Sequence, residues 1–183
     1  MEKNCIRFIV LIPHRDTRKN AEHYSGELFR AGFSGAYGFP FAAPVFITDK
    51  PFSGDELKRT ALFLREASTR NGFSGKFTGT RTGTREIAPG LFLGSLDVDV
   101  PLENYSPDVR GVPVPGLSLA LTVLKQDERD RFIRYSADFE AGLVSFRAAA
   151  VANMVYRYSD TRDSFSCSWE TGRSVWLPSY KGE

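Results

Sequence analysis

Val45-Phe46-Ile47-Thr48 and Leu119-Ala120-Leu121-Thr122 repeat one pattern: a hydrophobic residue, any residue, a second hydrophobic residue and a threonine. Both stretches are short and apolar, as a buried strand is, and one lies in each half of the chain. Pro44 and Pro51 flank the first and leave Val45 to Thr48 as the part able to pair cleanly. The period of two along a strand points Phe46 with Thr48, and Ala120 with Thr122, to a common side.

Working outward, Ile6 to Pro13 is an apolar run closed by proline and reads as a buried strand. Thr17 is placed to cap a helix reaching about Gly32, with Ala21, Tyr24, Leu28 and Ala31 at helical spacing. Ser53-Gly54-Asp55-Glu56 matches a reciprocal capping box, and Leu57, Ala61 and Leu64 follow on one face of a second helix, which runs to about Arg70 and ends at Asn71-Gly72. From Gly75 to Val100 a tandem Thr-Gly-Thr-Arg repeat, a Pro89-Gly90 turn and the alternation of Leu96, Val98 and Val100 with Asp97 and Asp99 predict a hairpin. Residues 101–116 are rich in proline and glycine and lack apolar periodicity, which marks them as a connector. Beyond it come a strand from Leu117 to Leu124 and a helix from about Glu128 to Ala141 carrying Phe132, Tyr135 and Phe139. Two alternating strands meet at a turn over Ser159 to Asp163, and Ser174 to Leu177 suggests a short edge strand.

With 183 residues, 42% of them hydrophobic and 15 of them phenylalanine, the chain has ample material for one folded unit and is not disordered. Lys and Arg total 24 against 22 Asp and Glu, so the near balance excludes the strong basic footprint of a dedicated nucleic-acid binder. The start of the chain lacks signal-peptide character and no stretch approaches the ~20 apolar residues of a membrane span, so the expected location is cytoplasmic. Two cysteines, Cys5 and Cys167, are then expected to be packed thiols rather than a disulfide, and two histidines are too few for a zinc site.

This order of elements resembles the two-histidine phosphoesterase superfamily, which includes 2'-5' RNA ligase-like proteins and cyclic phosphodiesterases. The pieces that carry the likeness are Arg7 to Pro13, the two threonine-bearing strands and the late strand from Val151 to Tyr158. The resemblance implies an α+β fold of two lobes related by a pseudo-two-fold axis, each an antiparallel sheet with flanking helices, around a central cleft. Residues 1–183 are then a single bilobal domain with its lobe connector near 101–116. In the family each half supplies a histidine two residues before the threonine or serine, one imidazole removing a proton and the other donating one. Here those places hold Phe46 and Ala120, which have no titratable group. The chemistry is thus expected to be absent, and Phe46, Ala120, Thr48 and Thr122 would line a site for a nucleotide, an RNA end or another small phosphorylated ligand, without cofactor or metal.

Arg81 and Arg85 are further candidate contacts, since two guanidiniums on one strand face can grip phosphate, although a Thr-rich charged strand also suits a solvated face with glycines marking bulges. Asp97 and Asp99 share a face and read as polar outer residues, too few for a metal site. His14 beside Asp16 reads as an exposed loop residue, and His23 as a helix surface or packing residue. Tyr156, Tyr158, Phe165, Trp169 and Trp176 read as core packing, and Cys167, sharing a face with Phe165 and Trp169, as buried and unreactive. The alternatives to a non-catalytic binder are an enzyme with altered phosphoester or ester hydrolysis in the same cleft and a protein-partner module with a phenylalanine-filled one.

Overall fold

The computed structural model describes residues 4–177 except 37, 49, 72–73, 100–111, 114–116, 137–144 and 161–164; in residues 20, 64–71, 74–82, 98–99, 112–113, 117–118, 145–147, 160 and 165 it describes only the backbone. It is an α+β structure in which every strand pairing is antiparallel. The elements run β1 (Asn4–Pro13), α1 (Arg15–Arg30), β2 (Ala43–Thr48), α2 (Gly54–Asn71), β3 (Ser74–Ala88), β4 (Leu91–Asp99), β5 (Val112–Pro113), β6 (Leu117–Lys125), α3 (Gln126–Ser136), β7 (Ser145–Asp160) and β8 (Phe165–Trp176). One sheet has the order β2-β1-β7-β8, with the two residues of β5 on the outer side of β2. The other has the order β3-β4-β6. The long strand β7 joins them, because its first residues, Ser145 to Arg147, pair with Ser74 to Lys76 of β3.

Local sequence explains the helix ends. Ser53 Oγ accepts from the amide of Glu56 at 3.1 Å while Glu56 Oε2 accepts from the amide of Ser53 at 2.7 Å, so both halves of the capping box are made. Helix α1 closes in a Schellman motif, with Gly32 at φ +87°, its amide bonded to Phe29 O and the amide of Phe33 bonded to Leu28 O. At its start the structure differs from expectation. His14 is the N-cap, extended and without a side-chain cap bond, and Thr17 lies within the first turn, 2% exposed. Burying the threonine puts it in the packed face, while Asp16 in the first turn favours the helix dipole. Helix α3 begins two residues earlier than expected because Glu128 reaches back to accept from the amide of Lys125 at 2.9 Å. Its expected end, including Phe139, lies outside the described residues.

The apolar residues form one core. Phe8, Ile9 and Leu11 of β1, Leu28 of α1, Leu119 and Leu121 of β6, Phe132 of α3 and Tyr156 of β7 are all at most 2% exposed. Each such side chain contributes about 1.5–3 kcal/mol of burial, which is why strands buried on both faces dominate the centre. The Pro89-Gly90 turn is present, with Gly90 at φ +75° between β3 and β4. The connector is not wholly irregular, since Val112 and Pro113 pair with Ile47 and Phe46. The expected edge strand at Ser174 to Leu177 is instead the end of β8, which continues along β7 past a register shift. Trp176 there is 76% exposed and stands apart from the aromatic core.

Candidate functional site

The two threonine-bearing strands each carry an extra residue. Phe46 pairs with Ile9 and Pro44 with the next residue, Val10, so Val45 is a bulge on β2. Thr122 pairs with Gly94 and Ala120 with the next residue, Ser95, so Leu121 is a bulge on β6. Aligned on these bulges, Pro44 matches Ala120 and Phe46 matches Thr122. The sequence repeat, which matches Phe46 with Ala120, is two residues out of step with the backbone. A bulge also turns neighbouring side chains to opposite faces, so Ala120 and Thr122 do not point the same way as the uninterrupted pattern predicts. Phe46 and Thr48 do share a side, opposite Ile9 and Arg7.

These residues are mostly enclosed. Phe46 is 2% exposed and Ala120 3%, and Pro44 is buried. Thr122 is fully buried, and its hydroxyl donates to Val123 O at 3.2 Å. A Cβ on its partner Gly94 would stand 2.9 Å from Thr122 Cγ2 and 2.8 Å from Phe132 Cζ, which sets Thr122 on the side covered by α3. The half-buried Thr48 accepts from the amide of Lys50 at 3.2 Å, a local turn at the end of β2. The two strands meet where the amide of Ala120 donates to Ala42 O at 2.9 Å.

Polar side chains gather on the other face of β4, the one Ala120 shares. Gly83 pairs with Ser95 and Arg85 with Leu93, so Arg85, Ser95 and Asp97 project to one side. Ser95 is 5% exposed and its hydroxyl donates to Gly83 O at 3.4 Å. A Cβ on Gly83 would lie 3.3 Å from Asp97 Oδ1 and 3.7 Å from Ser95 Oγ. Arg85 is half-buried, and loss of water lowers its pKa while the nearby Asp97 carboxylate works in the opposite sense. Neither Arg85 nor Asp97 is therefore the solvated outer residue that the strand pattern predicts. Arg81 falls in a wider irregularity of β3 between Phe77 and Thr82, and its side chain, like that of Asp99, lies outside the described residues. Ser95 is the residue sequence reading missed, although its alternation with Asp97 carried the signal.

The histidines are elsewhere. Thr48 pairs with Arg7 at one end of β1, whereas His14 follows the other end, roughly 20 Å away at the rise of a strand. His14 Nδ1 lies 3.4 Å from Asp16 Oδ2, with both side chains well exposed. His23 is exposed on α1, its ring edge-on to Tyr24. Among the described residues no group of three His, Cys, Asp or Glu side chains is placed to hold a metal ion, and no helix is long and apolar enough to cross a membrane.

A second cluster is aromatic. Trp169 contacts Phe8, Phe39 and Tyr156 at centroid distances of 6.0, 4.8 and 4.4 Å, and Tyr156 stacks on Tyr158. This agrees with core packing. The Tyr156 hydroxyl is buried without a hydrogen bond of ordinary geometry, and burial first, then the neighbouring Cys167 and Tyr158, raises its pKa. Cys167 itself is exposed, contrary to expectation, because β8 is the outer strand of its sheet among the described residues. Cys5 pairs with Arg157 and Cys167 with Tyr158, so the two thiols leave opposite faces and are free.

Fold and site together define an α+β protein of two joined antiparallel sheets, with one bulged strand in each and a polar patch beside one of them. No family model matches the sequence, and no curated protein is similar to it.

Proposed function

We propose that this chain is a two-histidine phosphoesterase-like, 2'-5' RNA ligase-like protein that has lost the acid-base pair and binds a nucleotide, an RNA end or another small phosphorylated ligand without turning it over. In this reading the two bulged strands, one from each sheet, are the equivalent strands of a pseudo-two-fold bilobal arrangement. The observation that carries it is the chemistry at the bulges: Pro44, Phe46, Ala120 and Thr122 are buried and none has a group that titrates near neutrality. Each missing acid or base forfeits roughly 10²–10⁴-fold in rate, so without the pair little of the family's chemistry remains. Binding outlasts catalysis because Ser95, paired with Ala120, and Arg85, on the same face of the neighbouring strand β3, still offer donors. The two free thiols suit a cytoplasmic protein.

A second reading, a protein-partner module, draws on the apolar closure of the same region by Phe39, Phe41, Ala42 and Phe46. Thermal unfolding against nucleoside monophosphates, cyclic nucleotides and phosphorylated metabolites separates the two. A ligand at about 100 times its Kd adds roughly 2.7 kcal/mol, worth roughly 5–10 °C in a chain of this size. A panel that leaves the midpoint unmoved at millimolar concentration contradicts ligand binding and favours the partner module.

A further inference from the structure

We propose that Arg85 and Ser95 form the anion-binding end of the ligand site, with Asp97 as a built-in counter-ion that the ligand's phosphate displaces from Arg85. The inference rests on the phosphorylated-ligand reading above and names the residues and the exchange that reading needs.

The backbone register places the group. Gly83 lies opposite Ser95 and Arg85 opposite Leu93, so Arg85, Ser95 and Asp97 stand on one face of β3 and β4. Ser95 is also paired with Ala120, which carries that face across to β6 beside the bulge. Between them Gly83 contributes no side chain, and the space a methyl would take is bounded by Asp97 Oδ1 at 3.3 Å and Ser95 Oγ at 3.7 Å. The neighbouring cation Arg129 belongs to the other face, where its Nε donates to Thr84 Oγ1 at 3.3 Å.

Each side chain is suited to exchange. A guanidinium presents paired donors to phosphate oxygens, and one that is half out of water gains more from an anion than an exposed one. The bond from Ser95 to Gly83 O is long at 3.4 Å, so a phosphate oxygen is a better acceptor for that hydroxyl. Asp97 shares that face, and its negative charge acts on Arg85. A phosphate monoester carries about −1.5 to −2 charges against one for the carboxylate, so it displaces Asp97 rather than binding beside it.

Titration calorimetry of the full chain with adenosine 5'-monophosphate, inorganic phosphate and adenosine tests the assignment, with folding of each variant followed by circular dichroism. The monophosphate and phosphate bind the wild type and adenosine does not. Arg85→Gln weakens the monophosphate by about 10-fold or more. Arg85→Lys keeps the charge and loses less, which preserves the comparison should the glutamine variant not fold. Asp97→Asn tightens binding several-fold while lowering the unfolding midpoint, a split that a purely structural Asp97 does not produce. Wild-type affinity in both Arg85 variants, or weaker binding by Asp97→Asn, overturns this inference and leaves the ligand-binding reading standing. A wild type that binds neither anion overturns both.

Discussion

The amide of Ala120 donates to the carbonyl of Ala42 at 2.9 Å and so fastens β6 to the chain just ahead of β2. With β7 paired to β3 at Ser145 to Arg147, the ladder passes from β2 through β1, β7, β3 and β4 to β6 and back to Ala42. The bulges at Val45 and Leu121 lie beside this closure, so the backbone irregularities and the apolar residues they present belong to one place in the fold.

Gly94→Ala destabilises the protein. Its methyl would enter a space bounded by Phe132 Cζ at 2.8 Å and Thr122 Cγ2 at 2.9 Å, and forced overpacking of this kind costs about 1–3 kcal/mol. Urea unfolding with an unchanged m-value reads the loss directly. A neutral substitution contradicts the seating of α3 on β4 and β6.

Ser53→Ala removes one half of the capping box of α2 and is expected to cost ~1 kcal/mol in the same assay. Glu56→Ala removes the other half from a side chain that is 4% exposed and costs at least as much.

These local devices were the most legible part of the sequence. The capping box, the Pro89-Gly90 turn and the apolar runs of β1, β2 and β6 depend on residue types at fixed short spacings, and the structure has all of them. Bulges are different, because one extra backbone residue leaves no mark in a hydrophobic pattern. That is why the repeat aligned Phe46 with Ala120 whereas the registers align Pro44 with Ala120. Exposure depends on which strand is next to which. The polar Thr-Gly-Thr-Arg strand reads as a solvated face, yet Arg85, opposite the buried Leu93 of β4, is half-buried; Cys167 alternates correctly but sits on an outer strand.

Stability falls in alkali because of Tyr156. Its folded pKa is raised, chiefly by burial, above the ordinary tyrosine value near ~10. The unfolded chain therefore loses the proton first, so the contribution is fully present below about pH 10 and is lost as pH rises from there toward the folded value. Tyr156→Phe removes that decline and, since the buried hydroxyl makes no hydrogen bond of ordinary geometry, leaves stability at neutral pH unchanged or slightly higher. Unfolding free energies from pH 7 to 11 for both proteins give the comparison. A wild-type curve that matches the variant at high pH refutes the assignment.

Cys167 is the thiol that a soluble aromatic disulfide reagent modifies first. It is exposed, whereas Cys5 is half-buried on the opposite face. Cys167→Ser removes the fast phase, and reductant leaves the unfolding midpoint unchanged because no disulfide joins the two. A fast phase retained in Cys167→Ser contradicts the placement of β8.

The residues at the two bulges have no side chain able to move a proton near neutrality. Turnover of 2',3'-cyclic nucleotides by the purified protein near neutral pH is the decisive assay. No hydrolysis above the buffer blank is expected, from wild type or from Pro44→Ala and Ala120→Gly variants alike. Wild-type hydrolysis that these substitutions abolish contradicts that expectation.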